Sequence, residues 1–376
     1  MRSVENHLES QVGRPFSPVV GDISNPLVSI ALYNYNYGQY LEECLESVVS
    51  QTYGNIEIIF SDNSSTDDSW QIASDFSKKY PGLMTMTRNR TNFGPGANLE
   101  NCMFNARGEY VLILCSDDVL KPTYIEKCID AFRQETMLGF VMVHRDIIDE
   151  NSHSSTEVPF YNQSCIIPGE EQAAVYMMAA VNPSVSQVMY HKERLYTTQV
   201  SIGSTASKWY YPRIQDFHLC SKYPMAYIDE PLLSHRIHGK NDSTFTERHL
   251  LEVLGPYVMN IEFAEVGKER GMDKVYQRLV PSIDKLSSLA LRYCTRYLLA
   301  DDELLAKRYF YLSAALSPDT TNSELFKQIN SYWTATGDEK SRILKALIET
   351  DNLVSRTVSY DPPKGYRTLK VKASAI

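Results

Sequence analysis

Two adjacent carboxylates, Asp117 and Asp118, stand at the abrupt end of a short apolar run, residues 110–114. That run has β-forming residues and no polar alternation, as a strand buried on both faces requires. Pro122 follows and suits the opening of the next helix. Paired acids at the C-terminal end of a buried parallel strand sit where open α/β sheets bind their ligands. Two carboxylates there repel each other unless they share a positive charge, and a divalent cation bridging phosphate oxygens meets that need. The plainer alternative is that the pair caps the following helix or lies solvated in a loop.

A strand–helix alternation must position these acids. Strands are expected at 28–32, 56–60, 83–87, 110–114 and 140–143. Between them apolar residues recur at helical spacing, as in Leu41, Cys44, Leu45 and Val48, or Ile125, Cys128, Ile129 and Phe132. Short connections in such an alternation imply a parallel sheet with helices on both faces. The turns at 33–38 and 62–66 follow strand ends, so they gather on the edge that carries Asp117 and Asp118. Ser65 and Asp68 have capping-box spacing ahead of the second helix.

Beyond residue 150 the pattern loosens. A polar loop is expected at 151–163, a helix at 169–181, a strand at 186–190, a short helix carrying Asp216 after Tyr211-Pro212, and a strand at 232–237. After Ser243 long helical periodicity runs without strands, which suggests packed helical hairpins. The chain divides into a polar leader (1–25), an α/β domain (26–245), a helical region (246–358) and a flexible tail (359–376).

A net charge of -9 and the lack of any basic block argue against nucleic acid as a partner. The seven cysteines are odd in number, scattered and without C-x-x-C spacing, so they read as reduced core thiols of a cytoplasmic protein. No apolar run approaches the ~20 residues that span a bilayer. Residues 1–25 are too polar for a secretory signal.

Several blocks arrive in a fixed order: Val28-Ser29-Ile30-Ala31-Leu32-Tyr33-Asn34-Tyr35-Asn36, residues 45–53, residues 57–67, and Cys115-Ser116-Asp117-Asp118. With Ala106-Arg107-Gly108-Glu109-Tyr110 they resemble glycosyltransferase family 2, over residues 26–245. The resemblance implies an α/β, Rossmann-like GT-A fold with a mostly parallel sheet, followed by an all-α C-terminal region. It also implies an inverting, metal-dependent transfer of a sugar from a nucleotide-diphosphate donor. A UDP-sugar comes first among the donors, and the acceptor is the hydroxyl of a glycan or lipid-linked glycan. Gln-x-x-Arg-Trp and membrane helices are missing, so the transfer is expected to be non-processive.

Site residues follow from the same resemblance. Tyr33 and Tyr35 match the family's contacts with base and ribose. Asp62 and Asn63 stand where the family often has two aspartates, the second accepting the base N3–H; Asn63 both accepts and donates. Asn98, in the helix after the turn at 92–98, joins the donor contacts. Asp117 is placed on the ribose or a metal-bound water and Asp118 on Mn²⁺ or Mg²⁺, while Cys115 reads as packing. Asp216 matches the general base at the start of a helix, with Gln215 where relatives carry Glu; a helix-start acid serving the macrodipole is the alternative. Residues 234–243 resemble the Arg-x-His-x-x-Asn-x-Ser stretch, which brings His238 to the metal or diphosphate and Arg236 and Lys240 to the phosphate charge.

The implied setting is the cytoplasmic face of the inner membrane, with peripheral association, in the synthesis of a polysaccharide or lipopolysaccharide. The helical region is expected to serve acceptor binding, homodimerisation or membrane docking, although an intramolecular core explains its apolar faces equally well. Two other functions fit the acids: a nucleotidyltransferase, which lacks support from a Gly-rich triphosphate loop, and a nucleotide-sugar-binding protein that has lost its chemistry.

Overall fold

The structure, a computed structural model, describes residues 8–12, 24–178, 183–200, 210–239, 243–350 and 358–372. The strands among them are β1 (Leu8–Val12), β2 (Val28–Asn34), β3 (Ile56–Asp62), β4 (Met84–Asn89), β5 (Tyr110–Cys115), β6 (Val119–Leu120), β7 (Phe140–Ile148), β8 (Ser154–Thr156), β9 (Cys165–Ile167), β10 (Val188–His191), β11 (Met225–Arg236) and β12 (Arg367–Thr368). All join one sheet in the order β1-β4-β3-β2-β5-β10-β7-β11-β9-β12, with β6 on β11 and β8 on β7. Neighbours β4, β3, β2 and β5 are parallel.

Helices α1 (Gly38–Val49), α2 (Ser69–Lys79), α3 (Gly94–Asn105) and α4 (Tyr124–Gln134) alternate with these strands. They are followed by α5 (Gly169–Met178), α6 (Lys192–Tyr196) and α7 (Tyr211–Cys220). The remaining helices are α8 (Ser243–Arg248), α9 (Leu251–Glu269), α10 (Asp273–Tyr276), α11 (Leu279–Leu299), α12 (Glu303–Leu316), α13 (Glu324–Thr334) and α14 (Gly337–Thr350).

The central strands are largely buried, and β5 is apolar along nearly its whole length, because each feeds two hydrophobic layers. In β5, Tyr110, Leu112 and Leu114 enter the layer under α1, α2 and α4, and Val111 and Ile113 enter the layer under α3, α5 and α7. The second layer is completed by α9: Met259, Phe263 and Ala264 lie in it, and the Phe263 ring stacks on Phe217 of α7 at 3.7 Å. The helical region is thus continuous with the sheet core at its near end, and builds its own core around Val253, Leu291, Tyr309 and Phe310 farther out. All seven cysteines are free.

Four sequence expectations need correction. The strand at 140–143 is β7, yet it does not flank β5; β10 inserts between them, antiparallel to both. A 3-10 turn at Val185–Gln187 with a complete capping box from Ser184 reverses the chain there, and Ser186 Oγ accepts from the Cys115 amide at 3.0 Å. The expected loop at 151–163 contains β8, paired with β7. The capping box of Ser65 and Asp68 does not form: Ser65 Oγ turns back to Asp62, and Asp67 instead receives Ser69 N–H and Gly38 N–H, tying the starts of α2 and α1 together.

The fourth correction concerns the chain ends. Within the leader, residues 8–12 form β1, antiparallel to β4. The tail is docked over residues 358–372: β12 adds to β9, Tyr360 bridges to Tyr161, and Leu369 is buried. Paired prolines and polar residues made this stretch read as flexible, but backbone pairing to an open sheet edge outweighs composition.

The lower end of the sheet is fastened by a buried carboxylate. Glu57 of β3 accepts Ser29 Oγ at 2.6 Å, the Arg107 backbone N–H at 2.8 Å, and Arg107 Nε at 2.8 Å. Gly108 N–H then reaches Ser29 Oγ at 2.8 Å, and a Cβ at Gly108 would lie 2.6 Å from Leu27 O, so this approach requires glycine. Arg107→Ala strips the counter-charge from Glu57 and should lower unfolding free energy by about 3–5 kcal/mol in urea denaturation. A loss of less than about 1 kcal/mol, typical of an exposed pair, would show that Glu57 does not depend on Arg107.

Candidate functional site

At the opposite end of the sheet, Asp117 and Asp118 form the turn between β5 and β6. Because β6 pairs with Leu233–Ser234, the end of β11 is brought beside the acids although two strands separate β11 from β5 in the sheet. Asp118 is 0% exposed; its Oδ1 accepts the Arg236 backbone N–H at 3.0 Å and lies 2.9 Å from His235 Nδ1. Asp117 Oδ2 lies 3.1 Å from His238 Nε2. The His238 ring is stacked on Tyr40 at 5.3 Å and tilted against Tyr37 at 5.5 Å. Ser116 Oγ donates to Tyr33 O at 3.0 Å, which anchors the turn to β2.

The two carboxylates differ in charge preference. Burial and the neighbouring Asp118 charge push Asp117 up to about 6, against the pull of His238. Burial would raise Asp118 too, but hydrogen bonds from His235, Ser186 and the Arg236 amide hold it below the usual carboxylate range. The pair therefore tends to carry less than two full charges unless a cation is supplied.

One carboxylate oxygen from each acid and the Cys115 Sγ lie within 4.8 Å of one another. Oxygen donors this close suit a hard divalent ion such as Mn²⁺ or Mg²⁺. The Cys115 thiol is the soft member of the three and bonds with Tyr33 OH at 3.4 Å, so a hard ion would favour the two carboxylates over it. Tyr33 sits partly buried beside the acids, and Tyr35 is 41% exposed on the same turn.

Next to the acid turn lies a polar network on the ends of β2 and β3. Asp62 is fully buried; it accepts Asn34 Nδ2 at 3.1 Å, Ser65 Oγ at 2.5 Å and Ser65 N–H at 2.9 Å, with Arg88 Nε at 3.4 Å. Asn63 Oδ1 accepts Asn89 Nδ2 and the Phe93 N–H, and its Nδ2 donates to Asn92 at 2.7 Å. Asn98 Nδ2 donates to Asn34 O and Ser61 O, both at 3.0 Å, and its Oδ1 accepts Ser61 Oγ. These three side chains, expected to touch a donor, have interior partners here that hold the strand ends in register.

Two expected placements are overturned. Arg236 was to offset phosphate charge, but its guanidinium is fully buried and every arm is engaged within the protein. Asp216 was to open a helix; α7 starts at Tyr211, with Pro212 in its first turn, so Asp216 falls in the second turn and inside the core. Its Oδ1 accepts Tyr190 OH at 2.8 Å, while Oδ2 has no partner among the described residues. Tyr190 pairs across the sheet with Val111, at the beginning of β5, whereas the acid turn follows the end of β5. The structure thus unites Tyr33, Asp117, Asp118, Arg236 and His238, and leaves Asp216 apart. Lys240 lies outside the described residues.

His235, Tyr37, Tyr40 and Glu43 belong to the site and were not singled out from sequence. The signal for His235 was its place directly before Arg236, where the motif opens, in a strand ending at the same edge.

Comparisons with known proteins agree with this geometry. Residues 29–192 match the family described as glycosyl transferase family 2. An uncharacterized glycosyltransferase of Nostoc sp. is 29% identical over 57% of this chain and 66% of its own length. The chondroitin synthase of Escherichia coli is 32% identical over 34% of this chain and 18% of its own length. Glycosyltransferase GlyG of Streptococcus pneumoniae is 40% identical over 27% of this chain and 33% of its own length. The matched segments thus span from about a fifth to just under two thirds of these relatives. Among solved structures, S. aureus TarS residues 1–349 in complex with UDP-GlcNAc superimposes with a TM-score of 0.52 at 13% identity, covering 77% of this chain and 91% of that one. This is a likeness of fold, the GT-A fold. No helix among the described residues is long and apolar enough to cross a membrane.

Burial pushes Asp216 up to about 7, although Tyr190 and Arg213 pull the other way. Above the ordinary carboxylate pKa of ~3.9 the unfolded chain ionises while the folded chain keeps its proton, so the group costs stability as pH rises to about 7. Asp216→Asn keeps an acceptor for Tyr190 and removes that cost. Its thermal unfolding at pH 8 should show a gain on the order of 2–4 kcal/mol over the parent, vanishing near pH 4. Equal stability of the two proteins at pH 8 would mean that Asp216 ionises without penalty.

Proposed function

We propose that this chain, whose residues 29–192 match glycosyl transferase family 2, moves a sugar from a nucleotide-diphosphate donor to an acceptor hydroxyl, with inversion. The observation that carries the reading is the pair of buried carboxylates at the end of β5, clustered within 4.8 Å and only partly neutralised by the protein. Asp118, with Asp117 beside it, would hold Mn²⁺ or Mg²⁺, which when bound stabilises the negative charge that develops on the departing nucleoside diphosphate.

The protein's own groups then divide the work. Tyr35 offers an exposed ring on which a base can stack, while Tyr33 closes the floor beside the acids. His238, held by Asp117 and two tyrosine rings, backs the acids at the same end of the sheet. We keep Asp216 as the general base of this reading, since a pKa near 7 and an unpartnered oxygen suit a group that must take a proton. Because it is bonded to Tyr190, paired near the beginning of β5, the reading requires Asp216 to move toward the acid turn on acceptor binding. Its complete burial means that acceptor binding has to open a path to it. The donor is a UDP-sugar by preference, and the acceptor a glycan or lipid-linked glycan.

The burial of Asp216 also favours one second reading, a protein that binds nucleotide sugars without transfer. Turnover separates the two, since only transfer releases free nucleoside diphosphate.

Thermal stabilisation across a panel of UDP-, GDP- and dTDP-sugars, with and without Mn²⁺, tests the proposal. A true donor present at about 100 times its Kd should add about 2.7 kcal/mol, in the presence of the ion only. Asp118→Ala should abolish that ion-dependent gain. Asp216→Ala should keep donor binding and lower kcat by about 10²–10⁴-fold, the usual weight of a general base. Near-parental transfer by Asp216→Ala would remove Asp216 from this role.

A further inference from the structure

Arg236 is the side chain whose placement least resembles its expected use. It is 0% exposed, and burying a guanidinium costs several kcal/mol unless its donors are met. They are met by groups from three segments. Nε donates to the Asp117 carbonyl at 2.9 Å; Nη1 donates to Asp149 O at 2.8 Å and Ser152 Oγ at 3.0 Å; Nη2 donates to Glu43 Oε2 at 2.6 Å. The guanidinium also lies 4.6 Å from the centre of the Tyr40 ring, the ring on which His238 stacks. Its backbone N–H donates to Asp118 Oδ1.

One residue therefore grips both acids at once, Asp117 through its carbonyl and Asp118 through its carboxylate. Fixing the Asp117 carbonyl fixes the plane of the peptide that joins the two acids, and with it the angle at which their carboxylates diverge. The outer arms tie that peptide to α1 through Glu43 and to the β7–β8 turn, which Asp149 closes by accepting from the Asn151 and His153 amides. A fork with fixed geometry can do this; a single ammonium cannot.

We propose that Arg236 is a positioning residue that sets the spacing of the Asp117 and Asp118 carboxylates for a divalent cation, and that it does not contact the donor. This rests on the reading of the acid pair as a cation site. Arg236 acts through hydrogen bonds to the acids, as outer partners of metal ligands do, and their loss commonly weakens metal binding about 10–100-fold.

Direct Mn²⁺ binding, followed by the electron paramagnetic resonance signal of the free ion, tests it on the full chain. Arg236→Lys should bind Mn²⁺ about 10–100-fold more weakly. Its KM for Mn²⁺ in donor turnover should rise in step while kcat at saturating Mn²⁺ stays near the parental value. Glu43→Ala, on the solvent side of α1, releases one arm of the fork and should weaken Mn²⁺ about tenfold, which keeps the test available if Arg236→Lys does not fold. Parental Mn²⁺ affinity in a folded Arg236→Lys, or in Glu43→Ala should that be the variant that folds, overturns the proposal. Parental Mn²⁺ affinity in Asp118→Ala would instead overturn the cation site itself.

Discussion

Two like charges on adjacent residues, both withdrawn from water, constrain the rest of the upper edge. A pair of unit charges 4 Å apart repels by about 4 kcal/mol at an effective dielectric near 20. The chain meets that repulsion with groups from a distant part of the sequence: His235 and the Arg236 amide on Asp118, His238 on Asp117. The short strand β6 makes this possible. By pairing with β11 directly after the acids, it carries the end of β11 across to them, past the intervening β10 and β7. The compensation remains partial, as the raised pKa of Asp117 shows. A site in this condition gains from a cation in proportion to what the protein has left uncompensated.

The neighbouring network of Asn34, Ser61, Asp62, Asn63, Asn89, Asn98 and Asn101 plays the complementary part. Amides bond to one another without net charge, so strand ends can be locked without adding to the field at the acids. A lone Asp62 in this network is tolerable because Ser65, Asn34 and Arg88 surround it. The result is a rigid floor beside a charged turn, with exposed Tyr35 as the part free to meet a ligand.

Much of this was legible in the residues. The five early strands announced themselves as apolar runs because both faces of the sheet are covered, and the acid pair was conspicuous because it ended one of them. What could not be read depends on partners far away in the chain. Arg236 looked like a phosphate ligand because nothing local says that Glu43, Asp149 and Ser152 converge on it. Asp216 looked like a helix start because the motif ends there, although Pro212 marked an earlier beginning, a position proline favours in the first turn. The docking of residues 358–372 was hidden for the same reason: the open edge of β9 that receives β12 lies about 200 residues earlier in the chain.

Crystals grown with MnCl₂ and a nucleoside diphosphate, measured at the manganese absorption edge, would locate the cation on the acid pair. One strong anomalous peak is expected about 2.2 Å from a carboxylate oxygen of Asp118, with Asp117 facing it and Arg236 still buried behind the turn. Manganese bound elsewhere, or a nucleotide seated at this edge with no ion on Asp118, would contradict that placement.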